Sequence, residues 1–130
     1  MWGGTGAALQ KLRGLVRPAG RLLLGDGYSE REPSETARTM FGEQILSLPA
    51  LVTEVRSAGW RVLHQASADQ REWDEFESAW RAGLERWLER NPTAPDRPRV
   101  QEELSARLLE YVRDYRGVLG FCYLVLGRDG

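Results

Sequence analysis

The sequence is short of most residues that would name a chemistry at once. Its 130 residues hold one cysteine, Cys122, and one histidine, His64. An internal disulfide is excluded, and such sparing use of thiols fits a reducing, cytoplasmic setting. A cysteine–histidine zinc cluster is excluded as well, so we expect no metal site. Lysine occurs once, at Lys11, among 18 basic residues. These face 19 acidic residues for a net charge of −1, and no basic field speaks for nucleic acid. No apolar run reaches the roughly 18–20 residues of a membrane span, and the opening stretch has no signal-peptide core. What is present is ordinary for a soluble domain: 42% apolar and 28% charged residues. A chain of this length suits one domain, residues 1–130, burying about two thirds of its unfolded surface.

Periodicity divides the chain. Ala8, Leu9, Leu12, Leu15 and Val16 fall at helical spacing within 6–17, and Pro18 and Gly20 stop that helix. An apolar strand follows at 21–26, closed by an Asp26-Gly27 turn. Residues 27–47 read as a loop with a short helix near Ser34–Phe41. The next helix spans 48–58, capped by Ser47 and ended by Gly59, and a strand follows at 60–66. Asp69 and Glu72 form a capping box. Behind it Trp73, Phe76, Trp80, Leu84, Trp87 and Leu88 make one apolar stripe. A proline-rich link at 91–98 leads to a second helix bearing Val100, Leu104, Leu108, Tyr111, Val112 and Tyr115. We expect these two to form a hairpin packed on the sheet. Val118 to Leu126 is almost unbroken apolar sequence and reads as a central strand buried on both faces. The fold class is therefore α/β, with a three-stranded mixed sheet (21–26, 60–66, 118–126) whose last strand is inserted between the others. The helical hairpin occupies 69–115.

Three passages carry a resemblance. Leu12-Arg13-Gly14-Leu15-Val16-Arg17-Pro18-Ala19-Gly20-Arg21-Leu22-Leu23-Leu24-Gly25-Asp26 is a helix leading into a strand through Pro-Ala-Gly. Leu51 to Trp60 is a helix leading through Ala58-Gly59-Trp60 into another. Gly120-Phe121-Cys122-Tyr123-Leu124-Val125-Leu126 closes the chain. Together they resemble the C-terminal half of a class I S-adenosylmethionine-dependent methyltransferase, a Rossmann-like fold. The resemblance implies that these are its fifth, sixth and seventh strands, the last running antiparallel between the other two. The segment 69–115, with Glu72-Trp73-Asp74 at its start, resembles an insertion found in a subset of bacterial members.

The cofactor half of that fold has no counterpart here. Members hold S-adenosylmethionine with a glycine-rich loop after the first strand and an acid after the second. Gly3-Gly4-Thr5-Gly6 follows no strand and cannot stand in for that loop, so no cofactor-binding residue is assigned. We expect a truncated gene, a misplaced start or a split enzyme, with a chain inactive alone. The strand at 21–26 then lacks its usual neighbour, which implies a homodimer or a complementary N-terminal half as partner. A noncatalytic interaction module using that open edge is the alternative.

The resemblance directs a small-molecule methyl acceptor to the segment after the fourth strand and the loop after the fifth. Those positions are Trp2, Gly3, Gly4, Asp26, Gly27, Tyr28 and Glu30. Trp2 walls a pocket or is a frayed terminus. Asp26 orients the acceptor or is turn chemistry. Tyr28 lines the pocket or anchors the loop. Trp73, first on the inserted helix, is the tryptophan best placed to face an acceptor, whereas Trp80 and Trp87 read as core. Glu30 and Glu32 read as solvated charges, and so does the Arg–Glu alternation of 81–90. His64 reads as a surface histidine and Cys122 as an inert buried thiol. No catalytic residue is assigned.

Overall fold

A computed structural model describes residues 4–41 and 45–130, with backbone only at Met40 and Phe41. Helix α1 (Thr5–Arg13) leads to strand β1 (Arg21–Ser29), then helices α2 (Glu35–Phe41) and α3 (Leu48–Ser57) and strand β2 (Trp60–Ser67). The helices α4 (Gln70–Arg90) and α5 (Arg97–Glu110) follow, then one π-helical turn at Tyr111–Tyr115 and strand β3 (Leu119–Arg128). No described helix is long and apolar enough to cross a membrane.

The sheet order is β1-β3-β2, so the last strand is the middle one, and both ladders are antiparallel. β1 and β2 thus run the same way and meet only through β3. One face carries the core. Leu22, Leu24 and Tyr28 of β1 alternate with Cys122, Leu124 and Leu126 of β3, and Leu9, Leu51, Val55 and Trp60 pack against them. Trp60 is almost fully buried, and its indole Nε1 donates to the Leu9 carbonyl at 3.0 Å, tying α1 to β2. Ser47 caps α3 through Ala50 N, and Gly59 takes a φ of +90° that a side chain would resist.

Four expectations are corrected. Asp26-Gly27 is no turn: β1 runs on to Ser29, because β3 offers Cys122 and Phe121 as ladder partners there. β3 is not buried on both faces. Its burial alternates, and Leu23 and Tyr123 of the outer face are 66% and 51% exposed, since no helix described here covers that side. The hairpin does not lie on the sheet. It builds its own small core from Leu88, Val100 and Leu104 with Leu84 and Trp87. Finally, Phe76 and Trp80 of the apolar stripe are exposed, while Glu77 between them is buried. The ion pairs one helical turn apart lie at Arg71–Glu75 and Arg99–Glu103, outside 81–90.

Candidate functional site

The carboxyl ends of β1 and β2 reach one edge of the sheet, where β3 begins. This is the edge at which open α/β sheets take ligands. A cleft of about 290 Å³ lies there, lined by Glu30 and Arg31 after β1, Asp69, Gln70 and Trp73 after β2, and Gly117 before β3, among others. Trp73 stands edge-on to Tyr115, ring centres 6.4 Å apart. Its indole Nε1 is buried and has no hydrogen-bond partner among the described residues. Asp69 is engaged locally: its carboxylate accepts from Glu72 N at 2.8 Å in the capping box. Glu30 accepts from the Tyr28 hydroxyl. Burial, and then that bond to Glu30, push the Tyr28 phenol above its ordinary pKa.

The cleft therefore gathers Trp73 and Glu30, with Tyr28 joined through Glu30. Tyr28 itself is 1% exposed and lies across the ladder from Gly120, where any Cβ would fall 2.4 Å from its ring. Trp2 and Gly3 lie outside the described residues. Gly4 precedes α1 as its N-cap. Asp26 forms a separate point: one oxygen accepts from Thr5 Oγ1 at 2.8 Å, the other from Gly27 N at 2.9 Å. It clasps the start of α1 to β1. Glu32 is exposed and pairs with Arg38. His64 is exposed on β2 beyond a bulge. Cys122 is buried, and that burial, with the charge of Asp26 across the ladder, raises its thiol pKa.

Behind Trp73 stands a polar cluster that the sequence reading did not include. Glu77, 1% exposed, accepts from Arg107 Nε at 3.2 Å and Nη2 at 3.0 Å, and from the Tyr115 hydroxyl. Arg107 also lies 4.6 Å from the ring centre of Trp80. Asp74 accepts from Tyr111 at 2.6 Å and from both Nε and Nη2 of Arg116. Arg116 and then Tyr111 hold the Asp74 carboxyl at about 2. Burial raises Glu77, yet Arg107 and Tyr115 together bring it below the ordinary value. Burial and Glu77 push Tyr115 up to about 12. Both tyrosines sit on the π turn, which inserts one residue into the helix and rotates them toward α4. A charged residue inside an apolar stripe was the available signal for Glu77. Arg31, Gln70 and Gly117 gave none, because nothing local marks a cleft wall.

Gly4 and Gly6 stand at the start of α1. Gly4 carries a φ of +99° as the N-cap of α1, and a Cβ at Gly6 would fall 2.7 Å from Glu54 Oε1. Gly6 thus serves the close approach of α1 to α3. Among the described residues, no group of three or more His, Cys, Asp or Glu side chains is arranged to hold a metal.

No family model matches the chain. The uncharacterized protein YjhP of Escherichia coli is 30% identical over 124 residues, which are 92% of this chain and 50% of that protein. A methyltransferase from Geobacter sulfurreducens, crystallised with S-adenosylhomocysteine, is 28% identical with a TM-score of 0.81. The match covers 97% of this chain and 53% of that one. A methyltransferase from Thiobacillus denitrificans, also crystallised with S-adenosylhomocysteine, is 26% identical with the same TM-score, over 98% of this chain and 53% of that one. The chain thus spans about half the length of each of these relatives. In sequence and in fold, the chain is similar to about half of each of these S-adenosylmethionine-dependent methyltransferases, consistent with the C-terminal half of a class I member.

Proposed function

We infer that this chain is the acceptor-side half of a small-molecule methyltransferase whose cofactor is S-adenosylmethionine. The observation that carries it is the fold match over 97% of the chain to a methyltransferase crystallised with the spent cofactor. The cleft at the carboxyl ends of β1 and β2 supports it, because that is the ligand edge of such sheets. The chain's own share of the chemistry is then positioning. Alignment of the reacting groups supplies much of the rate in a transfer from an activated donor. Trp73, Tyr28 and Glu30 shape the acceptor's surroundings, and Asp26 keeps the start of α1 beside β1. The glycine loop and ribose-binding acid come from outside these residues, so the chain alone transfers no methyl group. It works in the cytoplasm, joined to a complementary half or to a second copy.

Calorimetric titration of the 130-residue chain with S-adenosylhomocysteine tests this. No heat of binding from the chain alone is expected, and saturable micromolar binding would overturn the assignment of the cofactor site elsewhere. A second reading rests on β1. Its outer edge meets only a single bridge, Ser29 to Ser47, among the described residues. An interaction module that recruits a partner strand along that edge is the noncatalytic alternative.

A further inference from the structure

Only one face of the sheet is covered among the described residues. Leu22, Leu24, Leu124 and Leu126 turn toward the core beneath α1 and α3. The residues between them turn the other way. There Leu23 of β1 faces Val125 across the ladder, and Tyr123 and Phe121 precede Val125 along the same side of β3. Leu63, at the bulge of β2, lies over Gly127, where a Cβ would fall 3.0 Å from its Cδ1. A Cβ on Gly25 would fall 3.2 Å from Phe121 Cζ and 3.3 Å from Tyr123 Cε1, so those two rings lie across β1. The glycines let their larger neighbours lie flat, and the outcome is one continuous apolar surface.

That surface ends in a row of positive charge. Arg21 and Arg61 are both register partners of Gly127, so the two stand in one line across the three strands, exposed on the outer face. Neither makes an ion pair among the described residues. Arg21 donates to the Ala19 and Gly20 carbonyls, which leaves its charge unmatched. No Asp or Glu holds an outward position on any of the three strands; Asp26 pairs with buried Cys122 on the inner side. Strands lie about 4.8 Å apart, so the face is roughly 10 Å wide between its outer strands, the width of one helix. From Phe121 to Gly127 it runs roughly 20 Å, a length that about 13 helical residues cover.

We propose that this outer face docks one amphipathic helix, its apolar side on Leu23, Tyr123 and Val125 and its acidic flank against Arg21 and Arg61. The helix comes from the complementary half inferred above, and only that choice of source rests on the functional reading. Sheets of the α/β class carry helices on both faces, and α1 and α3 already occupy one. A second copy brings the same two arginines and no outward acid, so it leaves both charges unmatched. An anionic membrane calls for a denser basic cluster, on the order of four to eight residues, than this pair supplies.

Two synthetic helical peptides of about 14 residues test this. They share leucines at helical spacing; one carries glutamates along its flank and the other lysines. The amide spectrum of the ¹⁵N-labelled chain reports where each binds. The glutamate peptide is expected to move the amides of Tyr123 and Val125 saturably, and the lysine peptide to bind several-fold more weakly. Arg61→Glu, at an exposed position, is expected to weaken the glutamate peptide several-fold and to reverse the preference. Should that variant fold poorly, Arg21→Gln is expected to weaken the same peptide without reversing the preference. Equal binding of both peptides, shifts confined to the free edge of β1, or unmoved Tyr123 and Val125 amides overturn the proposal. So does co-sedimentation with phosphatidylglycerol vesicles where the glutamate peptide fails to bind. The titration contains no cofactor, so it is independent of the S-adenosylhomocysteine measurement. Should the chain bind that ligand alone, helix docking on this face would stand and only the complementary half as its source would fall.

Discussion

Glu77 on α4 and Arg107 on α5 meet through two parallel hydrogen bonds, with the carboxylate 1% exposed and the guanidinium side chain 36% exposed. The pair staples the hairpin where the apolar stripe was expected to continue. Removing one member strands the other's charge, which costs more than removing both. Glu77→Ala is therefore expected to destabilise by about 3 kcal/mol, near the low end for such pairs because Arg107 keeps part of its surface in water. The double change Glu77→Leu with Arg107→Leu is expected to cost less than Glu77→Ala. Urea unfolding of the wild type and the two variants measures this, and a double variant less stable than Glu77→Ala would exclude a coupled pair.

Asp74 gives the hairpin its acid limit. Its folded pKa lies at about 2, below the ordinary 3.8, because Arg116 and Tyr111 bind the ionised form. A depressed folded value means the stabilisation is complete above the unfolded pKa and is lost as pH falls through the folded one. Stability is expected to drop between pH 3.8 and about 2. In Asp74→Asn that part of the slope should disappear from urea midpoints measured across the same range.

Tyr115 sets a matching alkaline limit. Burial first, and Glu77 second, raise its phenol to about 12 from an ordinary 10.0. A raised folded value means the stabilisation is complete below pH 10.0 and is lost as pH rises toward about 12. A phenolate absorbance titration should show this tyrosine ionising late, and Glu77→Gln should bring it earlier. An unchanged titration in that variant would separate Tyr115 from Glu77.

Gly120 is fixed by Tyr28. Since a Cβ there would sit 2.4 Å from a buried ring, Gly120→Ala is expected to cost about 1–3 kcal/mol. In a Tyr28→Leu background the same change should cost markedly less. An equal cost in both backgrounds would mean that the ring is not the obstacle.

Leu23 tests the open edge. It lies on β1 with 66% of its surface exposed. Light scattering at high protein concentration is expected to show species heavier than 14.7 kDa. Leu23→Lys should shift them toward the monomer, because charge on an edge strand opposes strand addition. A monodisperse monomer at every concentration would argue against self-association through β1.

Local signals were legible and non-local ones were not. Asp69 with Glu72, Ser47 and Gly59 each announce a helix boundary by chemistry contained within a few residues, and each does so in the structure. The unbroken apolar run of Val118 to Leu126 pointed to a central last strand, and the resemblance implied the same order. Asp26-Gly27 misled because whether a strand continues depends on β3, almost a hundred residues later. Glu77 was passed over because its partners Arg107 and Tyr115 arrive 30 and 38 positions on. Of the expected site, Trp73, Tyr28 and Glu30 converge on or beside the cleft. Arg31 joins them only because β1 extends beyond its expected end.

The strand order also carries a schedule. Among the described residues β1 and β2 do not pair with each other, and each forms its ladder on β3, which follows both in the chain. Throughout synthesis the two earlier strands must wait with their apolar residues unshielded. The hairpin, whose core spans only Leu84 to Leu104, can close first and without them. A growing chain thus holds a finished helical arm beside an unfinished sheet, and protection of the nascent strands during that interval becomes part of what folding requires.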